Sequence, residues 1–154
     1  MGLLNYTTKI DPDKTAQEIA KCLSMHGASA VLTEYSPENS YASAISFQIK
    51  VGEQKMGFRL PCDWKPVFAN LTKNAKIRPY HAKYDRWKGE QEMQAVRTAW
   101  RIVKNWVEAQ MALVETQMVT TAEVFLPYAV MKDGRTLAQH AQSDPSFLLG
   151  DGTT

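Results

Sequence analysis

Between Glu90 and Met118 the apolar residues Met93, Val96, Trp100, Val103, Val107, Met111 and Val114 recur at three- and four-residue steps. A second stripe, Ala99, Ile102, Trp106, Ala109 and Leu113, runs beside the first. This period predicts one helix of about 29 residues and ~43 Å, at 1.5 Å per residue. A rod of that length exceeds what a small domain covers, so part of its wide apolar surface must meet something else. The two candidates are the C-terminal helices of the same chain and another subunit. Trp100, Val103, Trp106, Val107, Met111 and Val114 are the candidate oligomer interface, with the two tryptophans as anchors.

The N-terminal half follows a different period. Leu4, Tyr6, Thr8 and Ile10 alternate with polar residues, which predicts a short first strand. Asp11-Pro12 opens a helix, with Asp11 as N-cap and proline in the first turn, and Gly27 ends it in a left-handed conformation. Strands are expected at 28–35, 41–51 and 55–61. In the second, Ile45, Phe47, Ile49 and Val51 lie on one face. Lys55, Gly57 and Arg59 share the polar face of the third. Asp63 then caps a short helix carrying Pro66 in its first turn. Further on, Thr120-Thr121-Ala122-Glu123 fits a capping box, and the helix it opens is shortened or kinked by Pro127.

The expected fold class is therefore α+β. A small antiparallel sheet of about four strands carries a helix on one face, and a long C-terminal helix and shorter helices follow. Residues 1–74 form the sheet domain, 75–89 a basic and aromatic connector, and 90–154 a helical region packed on the domain or on another subunit.

Charge is distributed unevenly along the chain. The 154 residues sum to +2, yet Lys65–Lys104 holds ten of the eighteen Lys and Arg residues and only three acids, so it is +7 and the rest is −5. The densest part, Lys73–Lys88, reads KNAKIRPYHAKYDRWK. Cations hold phosphates electrostatically and aromatic faces stack bases. The candidate nucleic-acid-binding residues are Lys73, Lys76, Arg78, Tyr80, His81, Lys83, Tyr84, Arg86, Trp87 and Lys88. Arg97, Arg101 and Lys104 extend the patch if their spacing of four and three puts them on one side of the long helix. Three readings stay open for this segment: nucleic acid with single strands favoured, an acidic protein surface, or a solvated linker.

Other chemistry has weaker signals. There is no Gly-x-Ser-x-Gly motif, no phosphate-cradling glycine loop and no acid pair spaced for a metal-dependent nuclease, so no enzyme is expected. Cys22 and His26 are four apart on a helix, but no paired ligand spacing completes a zinc site. No metal and no cofactor are expected. The two cysteines read as reduced thiols, and no secretory or membrane-spanning run is seen, which points to the cytoplasm. The element order over Asp13–Asn74 matches that of double-stranded-RNA-binding domains. The second helix nevertheless opens Asp63-Trp64-Lys65-Pro66 without their basic cluster, and the loop Ser36–Ser40 lacks their histidine.

Four stretches also resemble a group of small uncharacterised phage and prophage proteins. They are Asn5-Tyr6-Thr7-Thr8-Lys9-Ile10, Gly57-Phe58-Arg59-Leu60-Pro61-Cys62-Asp63-Trp64, Ala99-Trp100-Arg101-Ile102-Val103-Lys104-Asn105-Trp106-Val107-Glu108 and Thr121-Ala122-Glu123-Val124-Phe125-Leu126-Pro127-Tyr128. The resemblance runs over nearly the whole chain and implies a viral or prophage origin and action inside a bacterial host. It brings no activity and no functional residues. Two jobs common among small phage proteins gain weight: handling phage nucleic acid, and blocking a host defence factor through the basic surface.

Overall fold

The computed structural model describes residues 2–148 and, among them, an α+β fold with a three-stranded sheet. Helix α1 (Pro12–Met25) starts where Asp11 accepts the Asp13 N–H at 2.8 Å. It ends at Gly27, whose φ of 102° is the left-handed geometry that glycine adopts without strain. Strands β1 (Ala28–Tyr35), β2 (Ala42–Val51) and β3 (Gln54–Pro61) form an antiparallel meander in the order β1-β2-β3. The register sets Val31 beside Phe47 and Phe47 beside Phe58, so one face of the sheet is apolar.

Helix α2 (Trp64–Thr72) follows, capped by Asp63, and Trp64 packs edge-on against Tyr41 at 5.8 Å. Helix α3 (Tyr84–Glu115) then crosses the apolar side of the sheet, packed against α1 and α2. Its Trp100 is fully buried and donates through Nε1 to the Ala42 carbonyl at 3.1 Å. Short helices α4 (Thr121–Phe125) and α5 (Leu137–Ser143) close the fold, with Phe125 buried against Phe47 at 4.9 Å. Sheet, α1, α3 and Phe125 thus share one core.

The expected strand at Leu4–Ile10 does not form. Asn5 takes a φ of 62°, and the Tyr6 and Thr8 N–H groups close tight turns onto Leu3 and Asn5, each at 3.1 Å. The carbonyls that a strand ladder would use are taken by α3. Gln94 Nε2 donates to the Tyr6 and Thr8 oxygens at 3.0 and 2.9 Å, and Thr98 Oγ1 to the Asn5 oxygen at 3.3 Å. The sheet gains a different edge contact: Ala129 bridges Phe58, and the Val130 N–H donates to the Gly57 carbonyl at 2.8 Å.

The long helix also differs in extent. It begins at Tyr84 rather than Glu90, because ion pairs Arg86–Glu90 at 3.2 Å and Lys88–Glu92 at 3.9 Å support its first turns. It stops at Glu115 rather than Met118. Gln117 turns left-handed at φ 62° and the Met118 N–H reaches back to the Leu113 carbonyl at 3.1 Å, the hydrogen bond of a Schellman stop. The reciprocal capping box expected at Thr120 and Glu123 is found instead at Thr136 and Gln139. At Thr120 the Glu123 N–H is capped, but the Glu123 carboxylate takes the threonine hydroxyl.

Candidate nucleic-acid interface

The segment between α2 and α3 is built from two tight turns. The Ala75 N–H donates to the Thr72 carbonyl at 3.0 Å, and the His81 N–H to the Arg78 carbonyl at 2.9 Å around Pro79. His81 Nδ1 accepts the Lys83 N–H at 3.1 Å and so closes a side-chain turn just ahead of α3. Ile77 is half-buried and ties the loop down, while the residues around it point outward. Lys73, Lys76, Arg78, His81 and Lys83 are exposed, and Tyr80 shows 87% of its surface to solvent. Lys73, Lys76, Arg78 and Lys83 make no ion pair among the described residues.

The remaining candidates divide by what they touch. Arg86 and Lys88 are exposed but paired along the helix with Glu90 and Glu92. Tyr84 and Trp87 are half-buried and lean on one another at 5.7 Å, leaving only part of each ring free. Arg97 Nη2 donates to Gln94 Oε1 at 2.6 Å. Arg101 reaches across to α1, bonding Glu18 at 2.7 Å and Thr15 at 3.3 Å. Lys104 sits 2.6 Å from Glu108 and 3.8 Å from Glu18. The Arg101 hydrogen bond, with the charges of Arg101 and Lys104, holds the Glu18 carboxyl below its ordinary range despite partial burial. Arg101 and Lys104 therefore clamp α1 to α3. Their side chains are 15% exposed, and they do not widen the loop's basic surface.

The interface candidates on α3 are largely consumed within the chain. Trp100, Val107 and Met111 are buried in the shared core. Val103, Trp106 and Val114 are half-buried against that core, and Trp106 meets Phe125 and Tyr128 edge-on at 5.9 and 5.7 Å. Within the chain α1, α2 and the shared core cover much of the apolar surface of α3, while Ile102, Val103 and Trp106 still line an open groove with Leu60, Pro61 and Tyr128.

Elsewhere, polar groups are spent on one another. Burial pushes the Cys62 thiol up to about 12 and raises Cys22 as well, so both are poor nucleophiles at neutral pH. His26 meets the carbonyl of Cys22, not its thiol, and no group of three or more metal-binding side chains stands together among the described residues. The Arg135 N–H, then the His140 ring, then the Arg135 guanidinium hold the Asp133 carboxyl down at about 2, closing the turn before α5. No helix among the described residues is long and apolar enough to cross a membrane.

The open face of the sheet is a feature the sequence showed only in part. Glu34 accepts Ser46 Oγ at 2.8 Å and Arg59 Nε at 2.9 Å there, beside exposed Leu32. Period-two alternation placed Lys55, Gly57 and Arg59 on one face, but Lys50 joins them only through the hairpin register that sets it opposite Lys55. No family model, curated protein or solved structure matches the chain.

Proposed function

We propose that the chain is a phage-encoded, non-enzymatic nucleic-acid-binding protein that favours single strands and acts in phage DNA or RNA metabolism in the host cytoplasm. The observation that carries this reading is the Lys73–Lys83 loop. It offers four cations that make no ion pair among the described residues and an almost fully exposed tyrosine, on a backbone fixed by turns at both ends. Phosphates pair with Lys73, Lys76, Arg78 and Lys83, and an unpaired base stacks on Tyr80. Duplexes hide their base faces, so a lone exposed ring is useful only against a single strand.

Fluorescence anisotropy with labelled single-stranded DNA, duplex DNA and single-stranded RNA, each titrated across a salt series, tests the proposal. Four phosphate contacts to a single strand give log affinity a slope of about −3 against log salt, at ~0.7 per contact. Tyr80→Leu weakens the single strand about 5- to 100-fold and leaves the slope unchanged. An affinity that stays flat with salt, or a Tyr80→Leu chain that binds normally, overturns it. Absence of binding to all three probes leaves the basic loop to an acidic host protein, as an anti-defence inhibitor would use it.

A further inference from the structure

We infer that the open face of the sheet docks an acidic segment of a partner protein, one with a single aliphatic side chain flanked by carboxylates. The cross-strand register brings three rows to this face: Leu32, Ser46 and Arg59; Ala30, Gln48 and Gly57; and Lys50 with Lys55. The middle row forms the floor of a groove whose walls include Leu32 and Val130. Gly57 leaves that floor low, since a Cβ built on it meets nothing within 4 Å. Leu32 is 63% exposed and Val130 39%, so both walls present apolar surface to solvent.

Beyond the groove's own lining, Lys50 and Lys55 stand in the row past one end, and Arg59, paired with Glu34, stands in the row of Leu32. Lys50 and Lys55 lie directly opposite one another, and no ion pair relieves them among the described residues. Like charges so placed repel, and an intervening carboxylate removes that cost. Glu53 is in the adjoining turn and pairs with neither lysine. At the other end Arg59 gives its Nε to Glu34, while its two Nη groups have no hydrogen-bond partner among the described residues. Lys55 and Arg59 are four strand residues apart, about 13 Å, the reach of four residues of an extended peptide.

The face presents no aromatic ring side chain on its three rows, so it lacks the stacking platform from which single-strand binding draws base affinity. Cations bracketing an aliphatic slot suit carboxylates bracketing an aliphatic side chain.

The experiment uses the full chain and a fluorescein-labelled peptide Glu-Asp-Leu-Asp-Glu, with Gln-Asn-Leu-Asn-Gln as its uncharged counterpart. The acidic peptide binds at least tenfold more tightly than the amide. Gly57→Val, which fills the slot with a strand-favouring residue, weakens it at least tenfold, as does the double change Lys50→Gln with Lys55→Gln. Both variants melt no lower than the parent and keep its near-ultraviolet dichroism. Lys76→Glu with Arg78→Glu abolishes oligonucleotide binding and leaves the peptide unaffected, which separates this site from the loop. No binding of the acidic peptide at millimolar concentration overturns the inference. So does a folded Gly57→Val chain with undiminished peptide affinity, or one that loses oligonucleotide instead, which would make the face a nucleic-acid surface.

Discussion

His26 Nδ1 lies 2.7 Å from the Cys22 carbonyl and its Nε2 lies 2.6 Å from the Glu115 carboxylate. Both partners only accept, so both contacts are satisfied together only when each ring nitrogen carries a proton, which favours the imidazolium. The carbonyl contact, then the carboxylate, raises its pKa against the opposing effect of burial. A raised folded pKa stabilises fully below the unfolded value of about 6.5 and ceases to do so as pH rises through the folded value. Melting temperature should therefore fall by about 2–4 °C as pH climbs from about 6 to about 9, if the partly exposed pair is worth about 1 kcal/mol. His26→Gln should remove that component of the pH profile. Trp100 and Tyr80 make the opposite pair of cases. Trp100→Ala is expected to cost about 3–5 kcal/mol in urea unfolding, because it empties the centre of the core and strands the Ala42 carbonyl. Tyr80→Ala should stay within about 0.5 kcal/mol of the parent, since its ring rests almost wholly in solvent.

Among the elements, α3 carries one avoidable weakness. Gly89 lies in its second turn with ordinary helical φ, and an added Cβ meets nothing within 4 Å. Gly89→Ala should stabilise the chain by about 0.5–1 kcal/mol, read as a higher urea midpoint at unchanged slope. That glycine and the surrounding charges are also why the helix start was hidden in the sequence, whose local helical signal is apolar spacing. The β2–β3 hairpin and α1 were legible, because period two, an aspartate cap and a closing glycine are local signals. The N-terminal strand was not, since alternation records side-chain chemistry and is silent on who accepts from or donates to the backbone. Gln94, which takes those carbonyls, is 88 residues from Tyr6. The candidate site divided in the same way. The loop cations, read from local composition, are exposed, whereas Arg101, added to them by helical spacing, is bound to Glu18, 83 residues away on another helix.

At the scale of the whole molecule, the sheet has no core of its own. Val96, Ala99, Trp100, Val107 and Met111 of α3 lie in the same buried cluster as Ile19, Leu23, Ile45 and Phe58. A chain ending at Lys83 should therefore show no cooperative thermal transition and should bind a hydrophobic dye, although it retains every strand. Recovery of a sharp transition on adding a peptide spanning α3 would show that the defect is the missing layer; a sharp transition in the short chain alone would show that the sheet stands by itself. The contact between His26 and Glu115 joins residues 89 apart, where the C-terminal ends of α1 and α3 meet. The apolar side of the sheet and of α1 is therefore covered by residues that come late in the chain. A chain grown only as far as Lys83 therefore has every strand but lacks the α3 side chains that complete the buried cluster.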